Sequence, residues 1–160
     1  MSFDTLAPHY RWLEFVLAGE KLQRCRTAFL DEIPPPQNIL LLGEGHGRGL
    51  VECCRRFGNA RITCIDSSGG MLAAALRQLA SHNLKSSQVE LIQADILKWT
   101  PPENTYDLII TNFFLDCFAA TQLDEIIRKV AGVATDEANW LLSDFQMAPG
   151  TMRRIRSRLE

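Results

Sequence analysis

"LLLGEGHGRG", residues 40–49, sets four glycines in ten positions directly behind a run of aliphatic side chains. Glycine loses the most backbone entropy on folding, so a cluster this dense needs a geometric cause. A tight turn is one such cause, but a single glycine satisfies it. The other is a ligand that must approach the main chain more closely than a Cβ allows.

The flanks supply the architecture. Residues 7–33 carry Leu13, Val16, Leu17, Leu22, Cys25 and Phe29 at helical spacing and predict a leader helix. "IPPPQN" (33–38) reads as a connector, and "NILLLG" (38–43) as a strand buried on both faces. A helix follows over 48–58, with Leu50, Cys53, Cys54 and Phe57 on one face and Gly58 as its stop. Strands are then predicted at 61–66, 88–95, 106–114 and 139–146, and helices at 69–83 and 121–134. Strands alternating with helices of this length make an α/β fold, a parallel sheet covered on both faces.

The glycines therefore lie between the first strand and the helix behind it, at the carboxyl end of a parallel sheet. Ligands bind there in open α/β folds, and a helix start adds unpaired N–H groups. The dinucleotide pattern G-x-G-x-x-G fits in no register: the sixth position is Arg48, Leu50 or Glu52 from Gly43, Gly45 or Gly47. The phosphate-loop ending G-K-[ST] is absent too. G-x-G-x-G does fit, as "GEGHG" (43–47), and Asp66 closes the second strand about twenty positions on, where a carboxylate can accept from ribose hydroxyls. An Asp after a strand is also a common helix cap. Ser67 or Ser68 can take that part here, which leaves Asp66 for the ribose.

With these residues in place, the chain resembles the class I S-adenosylmethionine-dependent methyltransferases of small-molecule type. The likeness runs through "ILLLGEGHGRGL", "CIDSSGGMLAAA", "VELIQADIL" and "YDLIITNFFLDCF", in family order and spacing, and "FDTLAPHYRWLE" is similar to the leader of small-molecule members. The resemblance implies a Rossmann-like doubly wound sheet of strand order 3-2-1-4-5 in three α/β/α layers. It implies S-adenosylmethionine as cofactor, S-adenosylhomocysteine as product, and a small-molecule acceptor. By position, Gly43, Glu44, Gly45 and Gly47 lie beneath the methionine and ribose, Asp66 holds the ribose, and Met71 or the Ser67 region packs on the adenine. Asp95 accepts from the adenine amino group beside the Ile96 N–H. Asn112 and Phe113 end the fourth strand beside the methyl group, and Tyr10 closes over the amino-acid end. Leu41 stands where many members have an acid, and Glu44 is expected to take over part of its electrostatic role.

Methyl transfer needs a base only if the acceptor must lose a proton. His46 and Asp116 are candidates by position, against a solvent-facing loop residue for His46 and a cap for Asp116. His9, Tyr10, Phe113 and Phe114 are candidates for an acceptor pocket, or for core. "TNFF" replaces the Asn-Pro-Pro-Tyr signature of nitrogen methylation, and no catalytic residue is assigned. Two other classes compete: a non-catalytic cofactor-binding scaffold, and a nucleotide-dependent oxidoreductase, which the glycine spacing opposes.

Composition agrees with one ordinary globular domain. The 160 residues are 46% hydrophobic and 22% charged, with a net charge of -2, so no nucleic-acid partner is expected. Five cysteines without metal-ligand spacing read as reduced thiols of a cytoplasmic protein, and no metal is expected. The sequence shows neither a signal peptide nor a membrane span. The single domain 1–160 divides into a helical leader (1–36) and the core (37–160). The family's sheet has seven strands, and here strands six and seven are missing. "NWLLSDFQ" is followed only by a segment carrying Arg153, Arg154, Arg156 and Arg158. The expectation is a C-terminally truncated chain, or one that completes its sheet as a homo-oligomer through the fifth-strand edge.

Overall fold

The computed structural model describes residues 19–144; His9, Tyr10 and the four C-terminal arginines lie outside the described residues. In chain order the elements are α1 (Gly19–Thr27), β1 (Asn38–Leu42), α2 (Arg48–Arg56), β2 (Arg61–Asp66), α3 (Gly69–Ser81), β3 (Val89–Gln93), β4 (Tyr106–Asn112), α4 (Ala120–Val133) and β5 (Ala134–Ser143). The strands form one sheet in the order β3-β2-β1-β4-β5, and every pairing is parallel. This is the Rossmann-like order that the sequence implied.

β1 is central because its side chains are apolar on both faces. Ile39 lies between Ile62 and Leu108, and Leu41 between Cys64 and Ile110. Successive side chains leave opposite faces of a strand. Ile39 and Leu41 accordingly pack with Leu50 and Cys53 of α2 and Ala75 and Leu79 of α3. Leu40 and Leu42 pack on the other side with Ile126, Val130 and Val133 of α4. Three layers result. Connections leave β1 toward β2 on one side and reach β4 on the other, so its carboxyl end is the switch point of strand order.

The boundaries of α1, β5, β3 and β4 differ from the sequence reading. α1 ends at Thr27, and a short 3-10 turn (Leu30–Glu32) follows. Its inward residues are Arg26 and Leu30, while Cys25 and Phe29 face solvent. The apolar stripe misplaced this face because a buried arginine lies within it. β5 begins at Ala134, directly behind α4, rather than at residue 139. Ala134 pairs with Tyr106 and Asn139 with Leu108, so five positions of β5 pass against two of β4. The polar run "ATDEA" shows no alternation, and such an irregularity is tolerated at a sheet margin. Finally, β3 ends at Gln93 and β4 at Asn112, and the residues beyond each turn over the end of the sheet.

Candidate functional site

The glycine loop rises from β1 with three left-handed residues: Gly43 (φ 65°), Gly45 (φ 63°) and Gly47 (φ 82°). Only glycine adopts this region without strain. A Cβ on Gly45 would meet nothing within 4 Å, so that face of the loop is open, whereas one on Gly47 would lie 2.7 Å from the backbone of Ala75. Gly47 thus lets α3 close onto the start of α2, for which it is the N-cap. It supplies no capping side chain, and Glu44 does so in its place. The buried Glu44 carboxylate accepts from the N–H of Gly49 and, at 3.2 Å, of Leu50. These are the second and third residues of α2, whose N–H groups lack intrahelical partners. A Cβ on Gly49 would sit 2.7 Å from that carboxylate. Glu44, expected to take over part of the role of the acid missing at Leu41, also serves the helix terminus, where the helix dipole favours an anion.

Capping behind β2 falls to a serine, as the sequence reading expected. Ser68 is the N-cap of α3, its Oγ accepting from the N–H of Met71 at 3.3 Å. Asp66 accepts at Oδ1 from the N–H of Ser68 (2.9 Å) and at Oδ2 from the N–H of Gly45 (3.3 Å). A carboxylate has about four lone-pair sites, so these bonds orient it and leave acceptor capacity. The Asp66 carbonyl accepts from Ala94 (3.0 Å), tying in the segment behind β3. There Asp95 caps its own turn: Oδ1 accepts from the Leu97 N–H at 3.0 Å, while Oδ2 lies 3.8 Å from the exposed Lys98 ammonium. The carbonyls of Ile96, Leu97 and Trp99 are gathered by Lys129 of α4 at 2.7, 2.8 and 3.0 Å.

The end of β4 closes the cleft. Asn112 is 7% exposed, and its Nδ2 has no hydrogen-bond partner among the described residues. Phe113 takes φ 54°, an unusual conformation for a bulky residue, and its N–H donates to the Ser143 carbonyl at 2.7 Å. The Arg26 guanidinium lies 5.1 Å from the centre of the Phe113 ring. Phe114 packs over Gly43 and meets Phe118 edge to face at 5.0 Å.

One cleft is lined by Arg26, Gly43, Glu44, Gly45, His46, Arg48 and Asn112. Of the residues expected in the site, Gly43, Glu44, Gly45 and Asn112 meet there. Asp66 reaches it through Gly45, and Asp95 and Ile96 stand on the neighbouring turn. Met71 is buried, while Ser67 is exposed and its carbonyl accepts from Gln93. His46 borders the cleft. Asp116 sits on the turn Leu115–Cys117 with its N–H donating to Asp144, and burial together with the Asp144 carboxylate raises its carboxyl above the ordinary Asp range. Burial holds the Cys54 thiol up at about 11 and pushes Cys53 and Cys64 up as well, so none is a thiolate nucleophile at neutral pH. Arg26 and Arg48 were missed from sequence. The available signal for Arg26 was a cation four residues from both Leu22 and Leu30, inside an apolar stripe.

A doubly wound sheet with a glycine loop behind its first strand and an acid ending its second defines a nucleoside-binding Rossmann-like domain. Residues 39–137 match the methyltransferase domain family, and the chain belongs to it. Over 143 residues it is 32% identical to the malonyl-acyl-carrier-protein O-methyltransferase of Priestia megaterium, covering 88% of this chain and 47% of that protein. Over 94 residues it is 34% identical to the trans-aconitate 2-methyltransferase of Rhodopseudomonas palustris, covering 56% of this chain and 34% of that protein. The chain therefore spans between a third and a half of the length of these curated relatives. The solved DhpI-SAM-HEP complex shares the fold at a TM-score of 0.73 and 21% identity, covering 99% of this chain and 68% of that one.

Proposed function

We propose that this chain binds S-adenosylmethionine and directs its methyl group to a small-molecule acceptor, with S-adenosylhomocysteine as product. When bound, the cofactor supplies a sulfonium-activated methyl group, so alignment rather than covalent help is the protein's main contribution. The observation that carries this reading is the buried Nδ2 of Asn112, unpartnered among the described residues, on a residue that lines a cleft floored by left-handed glycines. A buried donor of that kind calls for an acceptor, and a glycine floor lets a ligand lie against the backbone.

The residues fit the cofactor in kind. Asp66 offers a braced carboxylate to ribose hydroxyls, and Asp95 with the Ile96 N–H offers an acceptor and a donor to adenine. Met71 and Ser67 flank that side. Gly43, Glu44, Gly45 and Gly47 shape the floor, with Asn112 at its end. Arg26, 9% exposed beside the loop, adds a cation suited to the amino-acid carboxylate. Tyr10 completes the proposed set from outside the described residues. His46 and Asp116 are the groups placed to accept an acceptor's proton, and burial with the Asp144 carboxylate raises the Asp116 carboxyl above the ordinary Asp range.

The name of the trans-aconitate relative supports a small-molecule acceptor. No helix among the described residues is long and apolar enough to cross a membrane. The free state of all five cysteines supports a reducing compartment, the cytoplasm. Self-association through the outer edge of β5 is supported by that strand's pairing with β4 alone among the described strands.

Thermal denaturation tests the assignment. S-adenosylhomocysteine at a hundred times its Kd adds about 2.7 kcal/mol through mass action, whereas NAD and NADP leave the curve in place. A melting curve indifferent to saturating S-adenosylmethionine and S-adenosylhomocysteine overturns it. Transfer of a labelled methyl group to an acceptor library separates the enzyme from a binding scaffold.

A further inference from the structure

The turn behind β3 is held in an unusual way. Residues 95–99 make a single helical turn, with the N–H groups of Lys98 and Trp99 both donating to the Asp95 carbonyl at 2.9 Å. At the amino end of this turn stand Asp95 and the Ile96 N–H. At its carboxyl end the carbonyls of Ile96, Leu97 and Trp99 converge on Lys129 Nζ. An ammonium group has three donors, and here all three are used. Lys129 belongs to a different element, 34 positions from Asp95 in sequence, and its helix is anchored beneath it. Ile126 and Val130 are buried at 0% and 2%, in the same apolar cluster as Ile96. The ammonium is therefore a fixed point for the turn, not a mobile surface charge.

The three carbonyls meet the ammonium in part-buried contacts, where a carbonyl left without a partner is costly. Immobilising a lysine costs side-chain entropy and hydration. Meeting three carbonyls at one point offsets that cost and fixes the pitch of the turn. A cation at the carboxyl end and a carboxylate at the amino end both match the dipole of the turn, and the Leu97 N–H bond fixes one Asp95 oxygen. The remaining oxygen and the Ile96 N–H then keep a set spacing, that of an acceptor beside a donor.

We propose that Lys129 is a positioning residue that makes this turn selective for adenine: it holds the Asp95 carboxylate where it accepts from the exocyclic amino group. The proposal rests on the cofactor reading above and deepens it. A base with a carbonyl in place of that amino group offers Asp95 an acceptor, and the two oxygens repel.

The test is calorimetric titration of the full chain with S-adenosylhomocysteine and with S-inosylhomocysteine, its deaminated analogue. The unsubstituted chain prefers the adenine ligand by about tenfold or more, as expected for one hydrogen bond to a charged acceptor. Lys129→Met keeps the aliphatic stem and removes the ammonium. It is expected to weaken the adenine ligand about tenfold, leave the inosine ligand nearly unchanged, and so collapse the preference. In an Asp95→Ala background the same substitution has no further effect on the preference, because Lys129 acts through Asp95. Equal weakening of both ligands, or a preference that survives Lys129→Met, overturns the positioning role while the cofactor reading stands. Binding of neither ligand by the unsubstituted chain overturns both. If Lys129→Met fails to fold, Lys129→Arg keeps the charge but cannot converge a planar fork on three carbonyls, and the same collapse is required of it.

Discussion

Asp66 carries two duties at one carboxylate. It braces the glycine loop through Gly45 and the start of α3 through Ser68, and in the proposed function it also accepts from the ribose. Hydrogen bonds to a charged acceptor are worth about 1.5–3 kcal/mol each. Asp66→Ala is therefore expected to weaken S-adenosylhomocysteine binding at least tenfold, and also to lower the melting temperature of the ligand-free chain. Calorimetry and thermal denaturation check the two effects separately. Near-native affinity would leave Asp66 as a loop brace alone. The sequence placed Asp66 at the end of β2, where the structure has it, since an acid at the end of a strand is fixed by local order. Its bonds to Gly45 were not legible, because they depend on how β1 and β2 lie side by side. Arg26 was hidden for the same reason: its partner, the Phe113 ring, is 87 residues away.

At the scale of elements, α2 depends on a residue outside it. Glu44 caps it across the glycine loop, with Gly49 reduced to hydrogen so that the carboxylate fits. Glu44→Ala strips the partner from two N–H groups at the buried helix start. The expected loss is about 1–3 kcal/mol, or roughly 3–10 °C in Tm for a domain of this size. Denaturant melts of the variant measure it, and an unchanged midpoint would show that the cap is dispensable. Helix and strand positions in the core were largely readable, because "NILLL" and "RITCID" are apolar enough to require burial. The start of β5 was not. "ATDEA" lies at the sheet margin, where polar side chains are tolerated and periodicity falls silent.

At the scale of the molecule, the outer edge of β5, which among the described strands pairs with β4 alone, is the edge proposed for self-association. Leu142 is 53% exposed there, beside Trp140, whose indole N–H donates to Thr111 at 2.9 Å. Flat apolar edges pair with other chains, and a lysine on the edge prevents it. If two copies pair through β5, light scattering at rising concentration shows a dimer that Leu142→Lys returns to monomer. A monomer at every concentration before substitution counts against self-association.

The end of β2 has one more consequence. Ile65 and Asp66 together accept from Gly43, Gly45, Ser68 and Ala94, which belong to the loops behind β1, β2 and β3 at the sheet's carboxyl end. Loops joined at one node open together rather than one by one, as a single cooperative unit. In amide hydrogen exchange, S-adenosylhomocysteine should therefore slow Gly45, Ser68 and Ala94 by a common factor, although they lie in separate stretches of chain. Asp66→Ala removes the two carboxylate bonds and keeps the main-chain one to Ala94, so it should uncouple Gly45 and Ser68 from Ala94.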